Sequence, residues 1–373
     1  MEPRKYVATW AFLTVSAVLA AGCSKGSEPM IATGDEPLVL AGVAQVRQVA
    51  QVTGPGSPNR TDRFAIAGQD LGSMFEAGGK TWMVFGDTFG QRDPGLTGGG
   101  GTQWRSNTLA YTGDDDPADG LRLDGYVVDD IGWAKELIDS RKADGAEMTT
   151  IPTYGFEAGG AMYLAYMSVR HWGEPGEWET NYSGFAKSVD GGQTWTKPAT
   201  PRWPGDSRFV QVGTAKVGGD IYFWGVTHGR FGPVSLMKVA ERDVEDQSAY
   251  RYFAGTTAGG EPRWSPDPAA ARTVVEDTAG ELSVAWSPYL SRWLMTYTRG
   301  ADESAVIREG VTPWGPWGEA ITLVSQAEAP GLYAPYLWPR VSGDGRTVYF
   351  ALSLWGPYNV FWYRADLVRS DRK

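Results

Sequence analysis

The sequence predicts an all-β protein, folded as a five-bladed β-propeller. Three observations carry the prediction: a hairpin pattern that recurs five times, a turn motif typical of propellers, and a high content of turn-forming residues. The 373 residues include 49 Gly and 23 Pro, a share well above average usage. The 47 aromatic residues exclude a disordered chain and are enough to fill the interfaces between blades.

The recurring hairpin consists of a short strand, a tight turn and an aromatic-rich second strand. Gly-Gly or Asp-Gly stands at most of the turns, where both central residues need a positive φ. Turns follow one another at intervals of about 55 to 80 residues, which accommodates a four-stranded blade with insertions. We therefore expect one propeller domain over residues 40–370. The five hairpins cover residues 77–87, 158–168, 217–227, 289–299 and 343–353.

Two further stretches lie outside this hairpin pattern. Residues 188–195 (Ser-Val-Asp-Gly-Gly-Gln-Thr-Trp) resemble the Asp-box of sialidase-like propellers, a turn in which Ser and Asp bond to their own backbone. We expect Asp190 and Trp195 to be structural only. Residues 133–141 show a helical pattern and predict two or three helical turns, inside an insertion between the first two blades.

The N-terminus has the features of an export signal. Arg4 and Lys5 precede an apolar run over residues 7–21, which is too short to span a bilayer comfortably. The run ends in Leu-Ala-Ala-Gly-Cys, which resembles a bacterial lipobox with Cys23 as the lipidation point. We expect residues 1–22 to be a signal peptide, residues 23–39 a lipidated and flexible tether, and the mature protein to be exported and anchored to a membrane. The alternative is an ordinary secretory signal with an incidental cysteine.

Composition excludes several classes of function. The chain carries 34 Lys+Arg against 44 Asp+Glu, a formal net charge of −10, and has no basic runs. Nucleic-acid binding is therefore not expected, because phosphate recognition needs clustered Lys and Arg. One Cys and two distant His exclude a disulfide framework and make a Cys or His metal centre unexpected. No cofactor is predicted, and nothing in the sequence indicates a Ca²⁺ ion in the channel.

Carboxylates stand where the hairpins meet one face. Because the two strands of a hairpin are antiparallel, the start of the first strand and the end of the second lie together. By this spacing Asp70, Asp87 and Glu281 share one mouth. A pair of carboxyl groups there is what glycoside hydrolysis requires: a protonated acid for the leaving oxygen and an ionised partner that activates water or attacks. Alternatively, the aspartates cap backbone donors and Glu281 pairs with Arg299 across its hairpin.

Sugar sites also need flat apolar faces for stacking and planar donors for hydroxyl groups. Residues of both kinds cluster after the second strand of the second hairpin and around the fifth hairpin. Arg170 and His228 are as compatible with a place on the rim as with a substrate contact. The predicted substrate contacts are Arg170, Trp172, Asn181, Tyr182, His228, Arg299, Tyr333, Tyr336, Trp355, Tyr358 and Asn359.

Several blocks of the chain resemble an actinobacterial exported family known as domain of unknown function 4185, or glycoside hydrolase family 183. The blocks are residues 70–72, 85–89, 105–108, 178–182, 280–283 and 355–360. The resemblance implies a five-bladed propeller and an inverting endo-D-arabinanase that acts on arabinogalactan and lipoarabinomannan. It implies Asp70 and Asp87 as the catalytic pair, and the block at 105–108 adds Asn107 as a substrate contact. By analogy with other five-bladed furanosidases, Asp70 is the base and Glu281 an acid or helper.

These observations favour an exported glycoside hydrolase of the cell envelope, an endo-acting α-D-arabinofuranosidase whose partner is an arabinan polysaccharide. Two other readings stay open at this point. One is a glycosidase for another furanoside or for plant arabinan. The other is a propeller without catalysis that binds a glycan or a protein, for which aromatic residues alone would suffice. The paired carboxylates favour catalysis.

Overall fold

The computed structural model describes residues 34–370, and it confirms the all-β class. The predicted signal peptide and Cys23 lie outside the described residues. Helical structure between residues 34 and 370 is limited to short 3₁₀ turns at Thr61–Phe64, Pro117–Asp119, Glu241–Asp243, Gln247–Ala249 and Pro268–Ala270. None of these is long and apolar enough to cross a membrane.

The strands of residues 34–370 follow one another along the chain with short turns and several longer loops. They are β1 (Leu40–Gln51), β2 (Gly68–Ala77), β3 (Lys80–Phe89), β4 (Thr108–Thr112), β5 (Gly125–Tyr126), β6 (Thr149–Ala158), β7 (Ala161–Trp172), β8 (Trp178–Ser188), β9 (Arg202–Pro204), β10 (Gln211–Val217), β11 (Asp220–Val226), β12 (Gly232–Ala240), β13 (Arg251–Thr256), β14 (Pro262–Ser265), β15 (Thr273–Ser287), β16 (Arg292–Arg299), β17 (Ser304–Gly310), β18 (Ile321–Val324), β19 (Leu332–Leu337), β20 (Thr347–Leu354) and β21 (Asn359–Arg369).

The five predicted hairpins are confirmed as the antiparallel pairs β2–β3, β6–β7, β10–β11, β15–β16 and β19–β20. The first pair heads the sheet β2-β3-β4-β5 and the second heads β6-β7-β8-β9. The third and fourth pairs belong to one larger sheet, in which β12 pairs with β13 and also with the start of β15. The fifth pair lies in the sheet β1-β21-β20-β19.

The first strands of the five hairpins contact one another in a closed order. β2 contacts β6, β6 contacts β10, β10 contacts β15, β15 contacts β19, and β19 contacts β2. The sheets therefore surround a common centre, and their apolar faces pack against neighbouring sheets. Between the second and third sheets, for example, Phe156 and Phe185 both contact the ring of Phe223, at centroid distances of 5.4 and 5.5 Å. The core lies between sheets rather than at one central point.

The chain closes its last sheet with its own N-terminal strand. β1 pairs antiparallel with β21, from Leu40 opposite Arg369 to Gln51 opposite Phe361. Since β21 begins next to the mouth that carries Asp70, β1 begins at the opposite face and runs toward the mouth. The first and last described strands are thereby hydrogen-bonded to each other, which ties the two ends of the domain together.

The Asp-box has the internal bonding that its sequence indicates. Asp190 Oδ1 accepts hydrogen bonds from Ser188 Oγ at 2.8 Å and from the Thr194 amide at 2.9 Å. Trp195 Nε1 donates to the Gly192 carbonyl at 2.9 Å and its ring packs against the first and second sheets. Hydrogen bonds from Thr194 and Ser188 lower the pKa of Asp190 to about 2. The hydrogen bonds of Asp190 and of Trp195 Nε1 are internal to the turn, in keeping with a structural motif.

The predicted helix over residues 133–141 is wrong, because that stretch is an irregular loop. Its amide groups bond to distant parts of the chain and not to carbonyls four residues earlier. The Ala134 amide donates to Phe64 O at 3.0 Å, and the amides of Leu137 and Ile138 donate to Asn107 Oδ1 at 3.0 and 2.9 Å. One buried asparagine side chain thus overrides the local helical preference.

Candidate active site

A cavity of about 590 Å³ opens at the face where the first strands begin. Loops from all four sheets surround it, and its floor carries the three carboxylates that the sequence singled out. Eight of the predicted site residues line it: Asp70, Asp87, Glu281, Trp172, Tyr333, Tyr336, Trp355 and Tyr358. Within residues 34–370, no group of three or more His, Cys, Asp or Glu side chains is arranged to hold a metal ion.

A β-bulge brings Asp70 and Asp87 together. β2 and β3 pair regularly at Gln69 opposite Thr88, but the next pair is Leu71 opposite Phe85, so that Gly86 and Asp87 both oppose Asp70. A bulge of this kind bends the strand and re-aims its side chains. Leu71 adopts a left-handed φ of 67°, and Ser353 Oγ accepts a hydrogen bond from its amide at 2.9 Å. The backbone at the carboxyl pair is therefore strained and held from a neighbouring sheet.

Asp70 is a carboxyl group that holds its proton. Burial and the nearby Asp87 raise the pKa of Asp70 to about 8, against the opposing effect of the Tyr333 hydroxyl. That hydroxyl donates to Oδ2 at 2.9 Å. Oδ1 is buried and has no hydrogen-bond partner among residues 34–370. Burial and the charge of Asp87 outweigh the hydrogen bonds from Tyr333 and Tyr358, so the protonated form of Asp70 is favoured.

Asp87 is buried as well, and the charge of Lys142 acts on it in addition to two hydrogen-bond donors. Burial raises its pKa to about 7, while hydrogen bonds from Thr149 and Trp104 and the charge of Lys142 hold the pKa down. Thr149 Oγ1 and Trp104 Nε1 both donate to Oδ1, at 2.7 and 2.8 Å. The anion is thus stabilised more at Asp87 than at Asp70. Near neutral pH we expect the two carboxyl groups to carry about one proton in total, and this proton to be mainly on Asp70.

The raised pKa values of the pair predict a loss of stability as pH rises. Between a usual carboxyl pKa near 4 and folded values of about 7 and 8, the folded protein binds protons that the unfolded chain has released. The free energy of unfolding therefore falls from about pH 4 to about pH 8. We compare the change in Tm that Asp70→Asn causes at pH 8 with the change that it causes at pH 5. We expect the change at pH 8 to be more stabilising by about 2 °C or more. An equal effect of the substitution at both pH values, measured by thermal unfolding, would contradict this assignment.

Glu281 is ionised and paired with Arg230, an arginine that is not among the residues predicted from the sequence. Arg230 Nη2 lies 2.9 Å from Glu281 Oε1 and Arg230 Nε lies 3.2 Å from Oε2, so the pair is bidentate. Burial alone would raise the pKa of Glu281, but the charge and hydrogen bonds of Arg230 lower it. The predicted alternative partner, Arg299, instead pairs with Asp302. Glu281 is thus the poorest proton donor of the three carboxyl groups.

Aromatic side chains form the walls of the cavity. Trp172 and Trp355 are 37% and 50% exposed, so both present a free face at the entrance. Tyr333 and Tyr336 lie deeper and are buried, one on each side of a bulge in β19 where Ala334 has a φ of 56°. Exposed indole faces above a polar floor are suited to stacking on sugar rings.

Four predicted substrate contacts lie outside the cavity lining and have other partners. Arg170 pairs with Glu179. Asn181 Nδ2 donates to Ala146 O at 2.7 Å. The Arg202 guanidinium lies 4.2 Å from the ring centre of Tyr182, and Arg299 pairs with Asp302 as described. The structure therefore does not bring these four side chains to the cavity, and each has a partner elsewhere.

Three more predicted contacts are also not brought to the cavity. Asn107 is fully buried, and its amide bonds to backbone groups of residues 137, 138 and 150. Asn359 is buried and accepts a hydrogen bond from Thr53 Oγ1 at 3.0 Å. His228 lies outside the lining, two residues before Arg230. Asn107 and Asn359 serve the fold: the first fixes the loop at 134–138, and the second anchors the chain after β1.

Arg230, Trp104 and a glycine-rich wall belong to the cavity but are not among the residues that the sequence predicts. Gly99, Gly100 and Gly101 line the cavity. A Cβ at Gly98 would lie 2.4 Å from the Trp355 ring, and a Cβ at Gly99 would lie 3.2 Å from the Tyr358 ring. The run Gly98–Gly101 was a visible signal, because four consecutive glycines allow a close backbone approach to another surface. Trp104 and Arg230 lie in loops without a recurring pattern, so the spacing from the hairpin turns does not predict that they line the cavity.

Comparisons with known proteins agree with this architecture. The model of a family described as domain of unknown function (DUF4185) matches residues 56–364, in agreement with the family resemblance in the sequence. A Bacteroides ovatus protein, described as a candidate hydrolase, is similar in structure with a TM-score of 0.56 and 14% identity, over 92% of this chain and 97% of that one. At this identity the likeness concerns the fold alone.

Two further solved structures are similar at a lower level. An α-L-arabinofuranosidase from Podospora anserina has a TM-score of 0.49 and 10% identity, over 87% of this chain and 97% of that one. A GH43_1 enzyme from Xanthomonas citri has a TM-score of 0.49 and 12% identity, over 88% of this chain and 92% of that one. No curated protein matches the chain in sequence.

Proposed function

This chain belongs to the DUF4185 family, and from that premise we propose that it hydrolyses glycosidic bonds with Asp70 and Asp87 as its acid–base pair. One observation carries the proposal: two adjacent carboxyl groups at the floor of an aromatic-walled cavity, with pKa values raised to about 8 and about 7. Glycoside hydrolysis needs one carboxyl group that keeps its proton near neutral pH and one that gives it up.

The hydrogen bonds of the pair support a division of roles. Asp70, the carboxyl group of the pair with the higher pKa, is proposed as the general acid that protonates the leaving oxygen. Asp87, with two donors on Oδ1, is proposed as the base that activates water through Oδ2. This reverses the analogy drawn from other furanosidases, in which the first aspartate is the base. A water attacking from the far side of the sugar inverts the anomeric centre.

We propose an arabinan as the substrate, cleaved within the chain by an endo-acting α-D-arabinofuranosidase. The blocks at residues 85–89 and 355–360, which resemble family 183 of the glycoside hydrolases, support this choice. Both blocks contribute to the cavity, through Asp87 and Phe89 and through Trp355 and Tyr358. Trp172 and Trp355 offer exposed stacking surfaces for two parts of one polymer.

We also propose that the sheets form five blades of a propeller. The closed order of contacts among β2, β6, β10, β15 and β19 supports a ring of five first strands. The larger sheet then counts as two blades joined where β12 pairs with the start of β15.

The decisive experiment is incubation of the purified mature chain with arabinogalactan, with chromatography of the released sugars. We expect oligosaccharides of several lengths, and NMR of the first-formed product is expected to show the anomeric configuration opposite to that of the substrate. Release of single arabinose units would contradict endo action. Binding of arabinogalactan without any release would favour a glycan-binding propeller instead.

Export and anchoring through Cys23 are a separate proposal, supported by the lipobox-like residues before it. We expect Cys23→Ala to release the protein from the membrane fraction or to leave an unprocessed precursor. Stable anchoring by lipid takes more than one acyl chain. Processing and membrane retention of the variant are measured by immunoblotting of cell fractions. If both are unchanged, the lipobox prediction is wrong.

A further inference from the structure

Arg230 is the basic side chain at the floor of the cavity. No other lysine or arginine between residues 34 and 370 lines this cavity. Arg230 stands in the loop between β11 and β12, and its side chain reaches across to Glu281 on β15. It therefore links the third hairpin to the fourth directly beside the carboxyl pair.

The surrounding chain is shaped to receive this arginine. A Cβ at Gly280 would lie 2.6 Å from Arg230 Cγ, and a Cβ at Gly300 would lie 2.0 Å from Arg230 O. Gln211 Nε2 donates to the carbonyls of Thr227 and Gly229, at 3.1 and 2.8 Å, and so fixes the loop. Two glycines and one buried amide thus hold the position of Arg230.

The guanidinium is oriented on two sides and open on a third. Glu281 accepts from Nε and Nη2, and the ring centre of Tyr333 lies 5.4 Å from the guanidinium carbon. Tyr333 in turn donates to Asp70. Nη1 has no hydrogen-bond acceptor among residues 34–370, and Arg230 lines the cavity. An oriented donor is therefore available next to the proposed general acid.

We propose that Arg230 binds the substrate by donating a hydrogen bond from Nη1 to an oxygen of the sugar beside Asp70, and that Glu281 positions Arg230 and is not the general acid. The inference rests on the proposed glycosidase function and deepens it. Glu281 acts through Arg230, so it is a positioning residue.

The charges around Arg230 favour a neutral sugar as its ligand. Glu281 already neutralises the guanidinium, so no charge remains to attract an anionic group. Glu174, Glu177 and Glu303 line the same cavity and would repel a sugar that carries carboxylate or phosphate. A neutral hydroxyl or ring oxygen is the acceptor that fits, and we expect uronate-containing polysaccharides to be excluded.

Binding to an inactive variant tests this contact without turnover. Arabinan oligosaccharides prepared from arabinogalactan are titrated calorimetrically into Asp87→Asn, with and without Arg230→Met. We expect Arg230→Met to weaken binding about 10- to 100-fold, the range for a hydrogen bond from a charged donor. The matched control is Arg170→Met, because Arg170 forms a similar carboxylate pair outside the cavity. Equal affinity with and without Arg230→Met would overturn the inference.

Because Arg230→Met leaves a buried carboxylate without its partner, the double variant Arg230→Met/Glu281→Gln is measured beside it. We expect the double variant to bind no more weakly than Arg230→Met alone, since the pair acts as a unit. If the double variant binds the oligosaccharides more weakly than Arg230→Met alone, the positioning role of Glu281 is overturned.

A comparison of substrates with two different leaving groups distinguishes a positioning role of Glu281 from a role as general acid. We expect Glu281→Gln to lose the same factor on arabinogalactan and on an aryl arabinofuranoside with a good leaving group. A loss confined to arabinogalactan would make Glu281 the acid and overturn the inference. If the wild-type chain hydrolyses neither substrate, the proposed function fails. If wild-type turnover is observed and Arg230→Met binds normally, only the inference fails.

Discussion

Asp70→Asn and Asp87→Asn are each expected to lower kcat on arabinogalactan by about 10²–10⁴-fold, the usual scale for loss of a general acid or base. Asparagine keeps the size of the side chain and can accept the hydrogen bonds that Tyr333, Thr149 and Trp104 donate. It cannot transfer the proton. Thermal unfolding is expected to show intact folding of both variants, so the loss reflects chemistry.

A leaving-group comparison distinguishes the two aspartates. An aryl glycoside with a good leaving group needs little protonation, so Asp70→Asn is expected to recover much of its activity on it. Asp87→Asn is not expected to recover activity on the aryl glycoside, because the base that activates water is still missing. Asp144→Asn is the matched control, since Asp144 is an exposed carboxylate paired with His171 outside the cavity. Full activity of both well-folded variants at 70 and 87 would show that the pair is not catalytic.

Gly86→Ala is expected to lower kcat about 10²-fold with little change in Tm. A Cβ at Gly86 would lie 2.5 Å from Asp70 Oδ1 and 3.0 Å from Leu71 Cδ1, so the carboxyl group must move. The φ of Gly86 is not in the left-handed range, and alanine therefore adds no backbone strain. A displacement of about 1 Å in a reacting group can cost two orders of magnitude.

Gly356→Ala serves as the control for that substitution. Gly356 follows Trp355 at the mouth of the cavity, and a Cβ there would meet no atom within 4 Å. We expect this variant to keep wild-type kcat and Tm. Wild-type kcat in Gly86→Ala would mean that Asp70 does not need its present position. A large drop in Tm would instead place the effect on folding, and the carboxyl displacement would not be its cause.

The fold and the carboxyl pair could be predicted because both follow from short-range patterns. Glycine pairs at turns specify hairpins, and a hairpin fixes which residues share an end, so Asp70 and Asp87 could be placed together from spacing alone. The bulge at Gly86 could not, since the local sequence is compatible with a regular register. The same limit applies to Glu281: a bulge at residues 280–281 accompanies its pairing with Arg230 in place of Arg299.

Asn107 shows why side-chain roles were harder to predict than positions. The family resemblance of residues 105–108 predicts a substrate contact for this polar residue. Its amide instead satisfies backbone groups of a loop 30 residues away, and the same bonds prevent the helix expected there. Interactions between distant segments depend on the closed arrangement of sheets, and no local window of the sequence contains them.

The pairing of β1 with β21 decides at which face of the domain a membrane tether would be attached. β1 starts at Leu40, on the side opposite the cavity, and Leu40 follows Cys23 by about 17 residues. If Cys23 carries lipid as proposed, the tether joins the domain at the face opposite the cavity, so the mouth is free to point away from the bilayer. Even a fully extended linker of that length spans at most about 60 Å. The anchored enzyme would thus reach only polymer segments whose distance from the membrane does not exceed the tether length plus the height of the domain.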